Sequence, residues 1–173
     1  MSDTGASSGR AGEERPIRVL FVCTGNSARS VMAEALLRRV GGDRFLVSSA
    51  GTEPKGINPL TLRVLAEIGI DAGWARSESV TAYLGQSFDY VITVCNQAQE
   101  SCPVFPGVHR SLHWDFEDPA AAEGTEEERL AVFRRVLVLI EERIDAFAAL
   151  ALVADLDPGD VDAAHAEAVR SRT

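Results

Sequence analysis

A cysteine and an arginine stand close together in a segment of small residues, and their side chains could perform nucleophilic chemistry on an anion. Cys23 is a nucleophile in its thiolate form, and the Arg29 guanidinium can hold two oxygens of a tetrahedral anion. Backbone N–H groups between them can converge on the same anion. The pattern predicts a loop that binds a phosphate-like anion and attacks it. The residues of this predicted oxyanion loop are Cys23, Thr24, Gly25, Asn26, Ser27, Ala28, Arg29 and Ser30.

The residues around this loop predict a strand before it and a helix after it. The apolar run from Ile17 to Val22 is typical of a buried strand, and residues 30–40 have the composition of a helix. A helix N-terminus at the loop would favour negative charge there, including the thiolate of Cys23. Two plainer interpretations remain at this stage: a buried cysteine with no chemistry, and a turn that binds phosphate without reacting.

Strand and helix patterns alternate along the rest of the chain. This alternation predicts an α/β fold in a single domain, with a four-stranded parallel sheet flanked by helices. The predicted strands are Ile17–Cys23, Phe45–Ser49, Tyr90–Val94 and Val108–Trp114; the predicted helices are Ala28–Val40, one from Asn58-Pro59 to Gly69, a short one at Ser79–Leu84, and one that begins at Thr125 with Glu128 as its capping partner.

Two of the helices carry apolar faces that are expected to pack on the sheet. In the second helix, apolar residues repeat at three-residue spacing at Leu62, Leu65 and Ile68. The last helix has a longer apolar stripe, which favours core packing over a partner site. This stripe consists of Leu130, Phe133, Leu137, Ile140, Ile144 and Phe147.

Composition and charge limit the kinds of partner that the chain can have. The chain has 173 residues, a net charge of -9 and a pI near 4.8, which argues against nucleic acid or an anionic membrane as its main partner. The same charge repels anionic substrates at long range, so a basic residue in the pocket must attract them, and Arg29 is the candidate. Three cysteines, an odd number, favour reduced thiols in the cytoplasm.

The two ends of the chain differ in composition from its centre. Residues 1–16 are polar and rich in Ser and Gly, without the apolar core of a signal peptide, and we expect a disordered lead. Residues 17–150 form the predicted domain, and residues 151–173 a partly disordered or helical extension. No membrane-spanning segment is predicted, and a monomer is the expected state.

Two further cysteines follow the third predicted strand. Cys95 and Cys102 are seven positions apart, which in a helix separates them by about 10 Å. A disulfide needs Cα atoms about 4.4–6.8 Å apart, so bridging them requires the segment to unwind. Their spacing is a poor zinc pattern, and no metal site is predicted. A redox pair and two incidental thiols are both open interpretations.

A carboxylate follows the fourth predicted strand at the same sheet edge. Asp118, next to Pro119, could protonate a leaving oxygen as a general acid. Asp115 and Glu117 are rival candidates, and a turn carboxylate without a catalytic role is the plainer alternative.

These motifs together resemble those of the low-molecular-weight protein tyrosine phosphatases, a flavodoxin-like fold family. More narrowly, they resemble the thioredoxin-coupled arsenate reductases built on that fold. The resemblance covers about residues 17–150, and the paired cysteines indicate the reductase branch. Its motifs are the loop Cys23–Ser30, Ser49-Ala50-Gly51, Asn58-Pro59, Cys95 with Cys102-Pro103, and Asp118-Pro119.

The resemblance implies a role for each site residue. Cys23 attacks arsenate, while Arg29 and the loop amides stabilise the developing charge. Ser30 hydrogen-bonds the Cys23 sulfur, Asn26 braces the loop, and Asp118 protonates the departing hydroxyl. In this scheme Cys95 attacks Cys23 and releases arsenite. Cys102 then attacks Cys95, and thioredoxin reduces the resulting disulfide, with no tightly bound cofactor.

Some relatives in this family also hold a potassium ion beside the loop. Asn26, Glu34 and Ser49 match positions of that site. Arg76 stands where a small hydroxyl residue is expected, and its positive charge argues against the ion.

Two other functions are open on the sequence. A low-molecular-weight protein tyrosine phosphatase would use the same loop, but such enzymes follow the acidic Asp-Pro with aromatic residues, and here Ala120, Ala121 and Ala122 follow. A non-catalytic oxyanion or redox sensor would keep the cysteines but would not need Asp118.

Overall fold

Four parallel strands form one sheet in the part of the chain that the structure describes. The structure, a computed structural model, describes residues 15–107 and 109–153. All strand pairings are parallel, which places the carboxyl ends of the strands at one edge and confirms the predicted α/β fold. The strand order is β2-β1-β3-β4, with β1 at Ile17–Cys23, β2 at Phe45–Gly51, β3 at Tyr90–Thr93 and β4 at Arg110–His113.

Local capping explains where two of the helices begin. The Asn58 side chain accepts a hydrogen bond from the Leu60 N–H at 2.9 Å, with Pro59 in the first turn. Thr125 accepts one from the Glu128 N–H at 3.2 Å, at the predicted start of the last helix. The α-helices of the described residues are α1 at Arg29–Gly41, α2 at Pro59–Glu67, α3 at Asn96–Ser101 and α4 at Glu126–Ala151.

Several predicted boundaries differ from those of the structure. Strand β2 continues through Ala50 to Gly51, because Gly51 still pairs with Cys23 of β1. Helix α2 ends at Glu67, two residues before Gly69, whose φ of 85° is left-handed. The short predicted helix is a 3₁₀ turn at Val80–Tyr83. Strand β4 is shorter than predicted, and Val108 of the predicted strand lies outside the described residues.

The two predicted apolar faces had different outcomes. All six residues of the α4 stripe are buried, at 3% exposure or less, and they pack in the core of the domain. In α2 the predicted Leu65 is buried, together with Leu60, Thr61 and Val64, whereas Leu62 is 38% exposed and Ile68 is partly buried. The three-residue spacing drifts around a helix of 3.6 residues per turn, so it placed Leu62 on the wrong face.

The ends of the predicted domain are only partly described. Arg15, which falls in the predicted disordered lead, forms a double hydrogen bond with Asp89 at 2.8 and 3.0 Å. Residues 1–14 and 154–173 lie outside the described residues, and with them most of the predicted lead and extension. Within the described part, no helix is long and apolar enough to span a membrane.

Candidate active site

The loop between β1 and α1 wraps around the Cys23 sulfur. Cys23 is the last residue of β1 and is 3% exposed. Its Sγ accepts a hydrogen bond from the Asn26 N–H at 3.1 Å and lies 2.8 Å from Ser30 Oγ. Asn26 Nδ2 in turn donates to Ser30 Oγ at 2.9 Å, so the serine proton is directed at the sulfur. Donors aimed at a sulfur stabilise its thiolate form.

The carbonyl groups of the oxyanion loop point away from the site. Four of them accept hydrogen bonds from N–H groups of the segment that follows β2. Within the described residues, no backbone hydrogen bond engages the amides of residues 24, 25, 27 and 28, and Ala28 gives the α1 N-terminus no side-chain cap. These amides and the α1 dipole suit an anion. The four bonds are Thr52–Cys23 at 3.1 Å, Glu53–Thr24 at 2.8 Å, Lys55–Gly25 at 2.9 Å and Asn58–Ser27 at 3.1 Å.

Asn26 holds the loop from behind. Its backbone is left-handed, with φ of 44°, a conformation that asparagine adopts more readily than most residues. Its side chain is fully buried and donates to Ser49 Oγ at 2.9 Å, while its Oδ1 accepts from the Glu78 N–H at 2.8 Å. The side chain therefore ties the loop to β2 and to residue 78.

Gly51, at the end of β2, allows the loop to approach the sheet closely. A Cβ atom on this residue would lie 2.5 Å from the Thr24 carbonyl oxygen and 2.9 Å from the Asn26 nitrogen. Both atoms belong to the backbone and cannot rotate away, so only glycine fits here.

Arg29 and Asp118 face Cys23 across a cavity of about 130 Å³. Arg29 donates from Nη1 to the Phe116 carbonyl at 3.0 Å, and its Nη2 lies 3.7 Å from Asp118 Oδ2. The other Asp118 oxygen accepts from the Ala120 N–H at 3.0 Å. The arginine thus contacts the loop that carries the carboxylate, and both side chains border the place where an anion would sit.

The two rival carboxylates do not reach this cavity. Glu117 pairs with Arg135 at 2.8 Å, and Asp115 is exposed and not among the residues that line the cavity. Of the three candidates, the geometry therefore favours Asp118 as the proton donor.

The two cysteines that follow β3 lie at different distances from the oxyanion loop. Cys95 is 4% exposed, and its Sγ lies 3.3 Å from Thr24 Oγ1 of the oxyanion loop. Cys102 lies at the other end of the six-residue helix α3, and all three cysteines are free thiols. The structure therefore brings Cys95, but not Cys102, against the loop of Cys23.

Cys102 has a different environment from the other two thiols. It is half-buried and lines a cavity of about 300 Å³ with Phe105, His109 and Leu112. Burial raises the pKa of the Cys102 thiol, which disfavours its thiolate in this arrangement.

Sequence reasoning missed several side chains near these groups. Lys55 and Gln97 line the Cys23 cavity. His113 of β4 lies 2.9 Å, through Nε2, from Oδ1 of Asn96, the first residue of α3, and 2.8 Å, through Nδ1, from Oγ1 of Thr93. No motif marked these positions, although Lys55 is the only lysine in the sequence.

The residues matched to a potassium site form a buried polar cluster in which the Asn26 amide turns its nitrogen, and not its oxygen, towards Ser49. Potassium requires oxygen ligands. Asn26 presents its Nδ2 donor to Ser49 Oγ, and the bond from the Glu78 N–H fixes that orientation of the amide. Arg76, which the sequence suggested as the obstacle, is exposed and donates to the carbonyls of residues 73–75.

Glu34 is the carboxyl of this cluster and is 6% exposed. Burial raises its pKa to about 7, against the opposing effects of Arg38 and Ser49. Arg38 Nη2 lies 3.5 Å from Glu34 Oε2, which has no hydrogen-bond partner among the described residues. No group of three or more His, Cys, Asp or Glu in the described residues could hold a metal ion.

Comparison with known proteins places this geometry in a family. Residues 18–157 match the family described as low molecular weight phosphotyrosine protein phosphatase. The chain is 46% identical to an arsenate reductase of Halalkalibacterium halodurans over 75% of this chain and 94% of that protein. The crystal structure of an arsenate reductase from Archaeoglobus fulgidus is 36% identical, with a TM-score of 0.62 and coverage of 76% of this chain and 98% of that chain.

A third comparison concerns the reductant. A thioredoxin-dependent arsenate reductase of Corynebacterium glutamicum is 31% identical, with a TM-score of 0.56 and coverage of 78% of this chain and 64% of that chain. The fold, the oxyanion loop and these similarities agree. The chain belongs to the low-molecular-weight phosphotyrosine protein phosphatase family and, within it, to the arsenate reductases.

Proposed function

We propose that this protein reduces arsenate to arsenite by a relay of three thiols that thioredoxin regenerates. The observation that carries the proposal is the contact of Cys95 with the oxyanion loop, 3.3 Å from Thr24 Oγ1. A hydrolytic phosphatase needs only one thiol, that of Cys23. A second buried thiol against the same loop supports a reaction in which two thiols deliver two electrons.

The first step forms a bond between Cys23 and arsenic. The loop amides and Arg29 hold the arsenate oxygens, and the Cys23 thiolate attacks the arsenic atom. Asp118 donates a proton to the departing oxygen, which leaves as water. The Asp118 carboxylate borders the cavity on the side of Arg29, which is consistent with this role.

The second step transfers the electrons. The Cys95 thiolate attacks the Cys23 sulfur, the sulfur–arsenic bond breaks, and its electron pair stays on arsenic, which leaves as arsenite. The two thiols are thereby oxidised to a Cys23–Cys95 disulfide. Cys102 next attacks Cys95 and frees the Cys23 thiolate, and a thioredoxin dithiol reduces the Cys95–Cys102 disulfide.

The last exchange requires α3 to open. The two cysteines flank a helix of six residues, which holds them about 10 Å apart, beyond the Cα separation of about 4.4–6.8 Å that a disulfide requires. Opening this segment exposes the disulfide to a protein reductant. Because each thiol must be reduced at the start of the cycle, we place the protein in the cytoplasm.

The test is NADPH oxidation that depends on arsenate, with thioredoxin and thioredoxin reductase present. We expect multiple turnovers for the wild type and no repeated turnover for Cys23→Ser, Cys95→Ser or Cys102→Ser. Turnover with glutaredoxin or a small thiol, but not with thioredoxin, would show that thioredoxin is not the reductant. Hydrolysis of an aryl phosphate that needs only Cys23, with no arsenate turnover, would make the protein a phosphatase and refute the proposal.

A further inference from the structure

Lys55 stands at the mouth of the Cys23 cavity as a second positive side chain. It lines this cavity together with Cys23, Arg29 and Asp118. It is exposed and is the only lysine among the 173 residues of the chain.

The oxyanion loop itself holds Lys55 in this position. The Lys55 N–H donates to the Gly25 carbonyl at 2.9 Å. Its aliphatic stem lies over Gly25, since a Cβ atom placed on that glycine would be 3.5 Å from Lys55 Cδ. The backbone of Lys55 is therefore tied to the loop, and part of its stem lies close to Gly25 at the wall of the cavity.

The charge of Lys55 is not neutralised by a neighbour. Within the described ranges, no ion pair joins its ammonium to a carboxylate, whereas Arg29 lies 3.7 Å from Asp118 and already donates to the Phe116 carbonyl. The chain as a whole carries a net charge of -9 and repels anions. An unpaired cation at the mouth offsets this repulsion where a substrate enters.

We propose that Lys55 is a second anion-binding residue of this site, which attracts doubly charged tetrahedral oxyanions and contacts their outer oxygens. The inference rests on the proposed function and deepens it, because it names the group that selects the charge of the substrate. Arg29 and the loop amides bind the inner oxygens that face Cys23, and Lys55 acts before and during binding. It does not take part in proton or electron transfer.

The kinetic test compares Lys55→Met with Lys55→Arg. Methionine keeps the stem over Gly25 and removes the charge, while arginine keeps a charge. We expect Lys55→Met to raise KM for arsenate about tenfold, the effect of one exposed cation on a nearby dianion, with kcat nearly unchanged and Lys55→Arg close to the wild type. The difference in KM between Lys55→Met and the wild type should shrink at about 1 M ionic strength, where the screening length is about 3 Å.

A second readout does not depend on arsenate turnover. Inorganic phosphate bound in the loop should shield Cys23 from alkylation by iodoacetamide, which is followed by mass spectrometry. Half-protection of Lys55→Met should need about ten times more phosphate than the wild type. This result would support the role of Lys55 even if arsenate reduction failed. Equal phosphate requirements, or a change in KM for thioredoxin instead of arsenate, would overturn it.

The single lysine also permits a chemical test on the unmutated protein. Acetylation removes the charge of Lys55, whereas reductive methylation keeps it. Lys55→Met treated in the same way controls for the modified N-terminus. We expect acetylation, and not methylation, to reproduce the weaker phosphate protection, and equal effects of the two treatments would contradict the assignment.

Discussion

The oxyanion loop and the segment from Cys95 to Cys102 follow neighbouring strands of the same sheet edge, but they are held in different ways. Four loop carbonyls are fixed by backbone hydrogen bonds, and Asn26 fixes the loop from behind. The segment is a six-residue helix tied to β4 through the contact of His113 with Asn96. The chemistry on the anion therefore takes place in a preformed site, while the disulfide relay depends on a segment that can open.

The three thiols also differ in how deeply they are buried. Cys23 and Cys95 are 3% and 4% exposed and meet at the loop through Thr24. Cys102 is half-buried beside a cavity of about 300 Å³, which leaves space for its segment to repack. A relay of three thiols needs both features: a rigid site for the reaction with the anion, and a segment that can open for the later disulfide exchange.

Among variants that keep all three thiols, the largest effect is expected for Asp118→Asn, which should slow the first half of the reaction. Without the proton donor, formation of arsenite in a single turnover should slow by about 10²–10⁴-fold. Rapid-quench detection of arsenite measures this rate. Asp115→Asn and Glu117→Gln are matched controls, because neither side chain lines the cavity, and both should retain nearly full rates.

The same variant separates an enzyme from a sensor. Thiol–disulfide exchange between thioredoxin and the Cys95–Cys102 pair should be unchanged in Asp118→Asn, since this carboxylate acts only on arsenate. Full arsenite formation by Asp118→Asn would exclude Asp118 as the acid.

The buried carboxyl behind the oxyanion loop should make stability depend on pH. The pKa of Glu34 rises from 4.5 to about 7 on folding, so the unfolded chain loses this proton first as the pH rises. The resulting penalty is absent below pH 4.5, grows between pH 4.5 and about 7, and is constant above. Glu34→Gln should therefore stabilise the protein above pH 7 by up to about 3 kcal/mol and add nothing at pH 4. Urea unfolding at both pH values measures this difference, and an equal effect at both would contradict the burial of an ionisable group.

A substitution at Gly51 should damage the preformed region alone. The Cβ atom of Gly51→Ala would overlap the Thr24 carbonyl and should cost about 1–3 kcal/mol of stability and weaken phosphate binding. Gly85→Ala is the control, because its Cβ meets no atom within 4 Å. Calorimetric titration with phosphate distinguishes the two, and normal phosphate affinity in Gly51→Ala would show that the close approach is not needed.

The smallest expected effect concerns the segment from Cys95 to Cys102. His113→Leu removes the contact to Asn96 and should cost about 1 kcal/mol of local stability, or about fivefold faster amide exchange in residues 96–101. Hydrogen–deuterium exchange measures this rate. Exchange in residues 24–30 is the internal control and should not change. Faster exchange in both regions would mean that they do not open separately.

The sequence was most informative where local chemistry determines structure. The loop of Cys23, the cap at Asn58 and the stripe of α4 are determined by neighbouring residues, and their predictions were confirmed in position. The face of α2 was wrong at Leu62, because a three-residue spacing does not stay on one face of a helix with 3.6 residues per turn.

The parts of the site that the sequence did not predict are contacts across the fold. The pairing of Lys55 with Gly25 and of His113 with Asn96 joins residues far apart in sequence, and no local pattern reports such contacts. The predicted choice among Asp115, Glu117 and Asp118 also needed the fold, since only the geometry shows which carboxylate borders the cavity.

The central claim is that the preformed loop and Cys95 reduce arsenate before Cys102 takes part. Its most direct test is a single turnover of Cys102→Ser without thioredoxin. This variant keeps the loop and Cys95 but cannot complete the last exchange. We expect about one arsenite per protein and a trapped Cys23–Cys95 disulfide in the peptide map, with neither product in Cys95→Ser. If Cys102→Ser formed no arsenite, the loop and Cys95 would not be sufficient for reduction, and the proposed relay would be wrong.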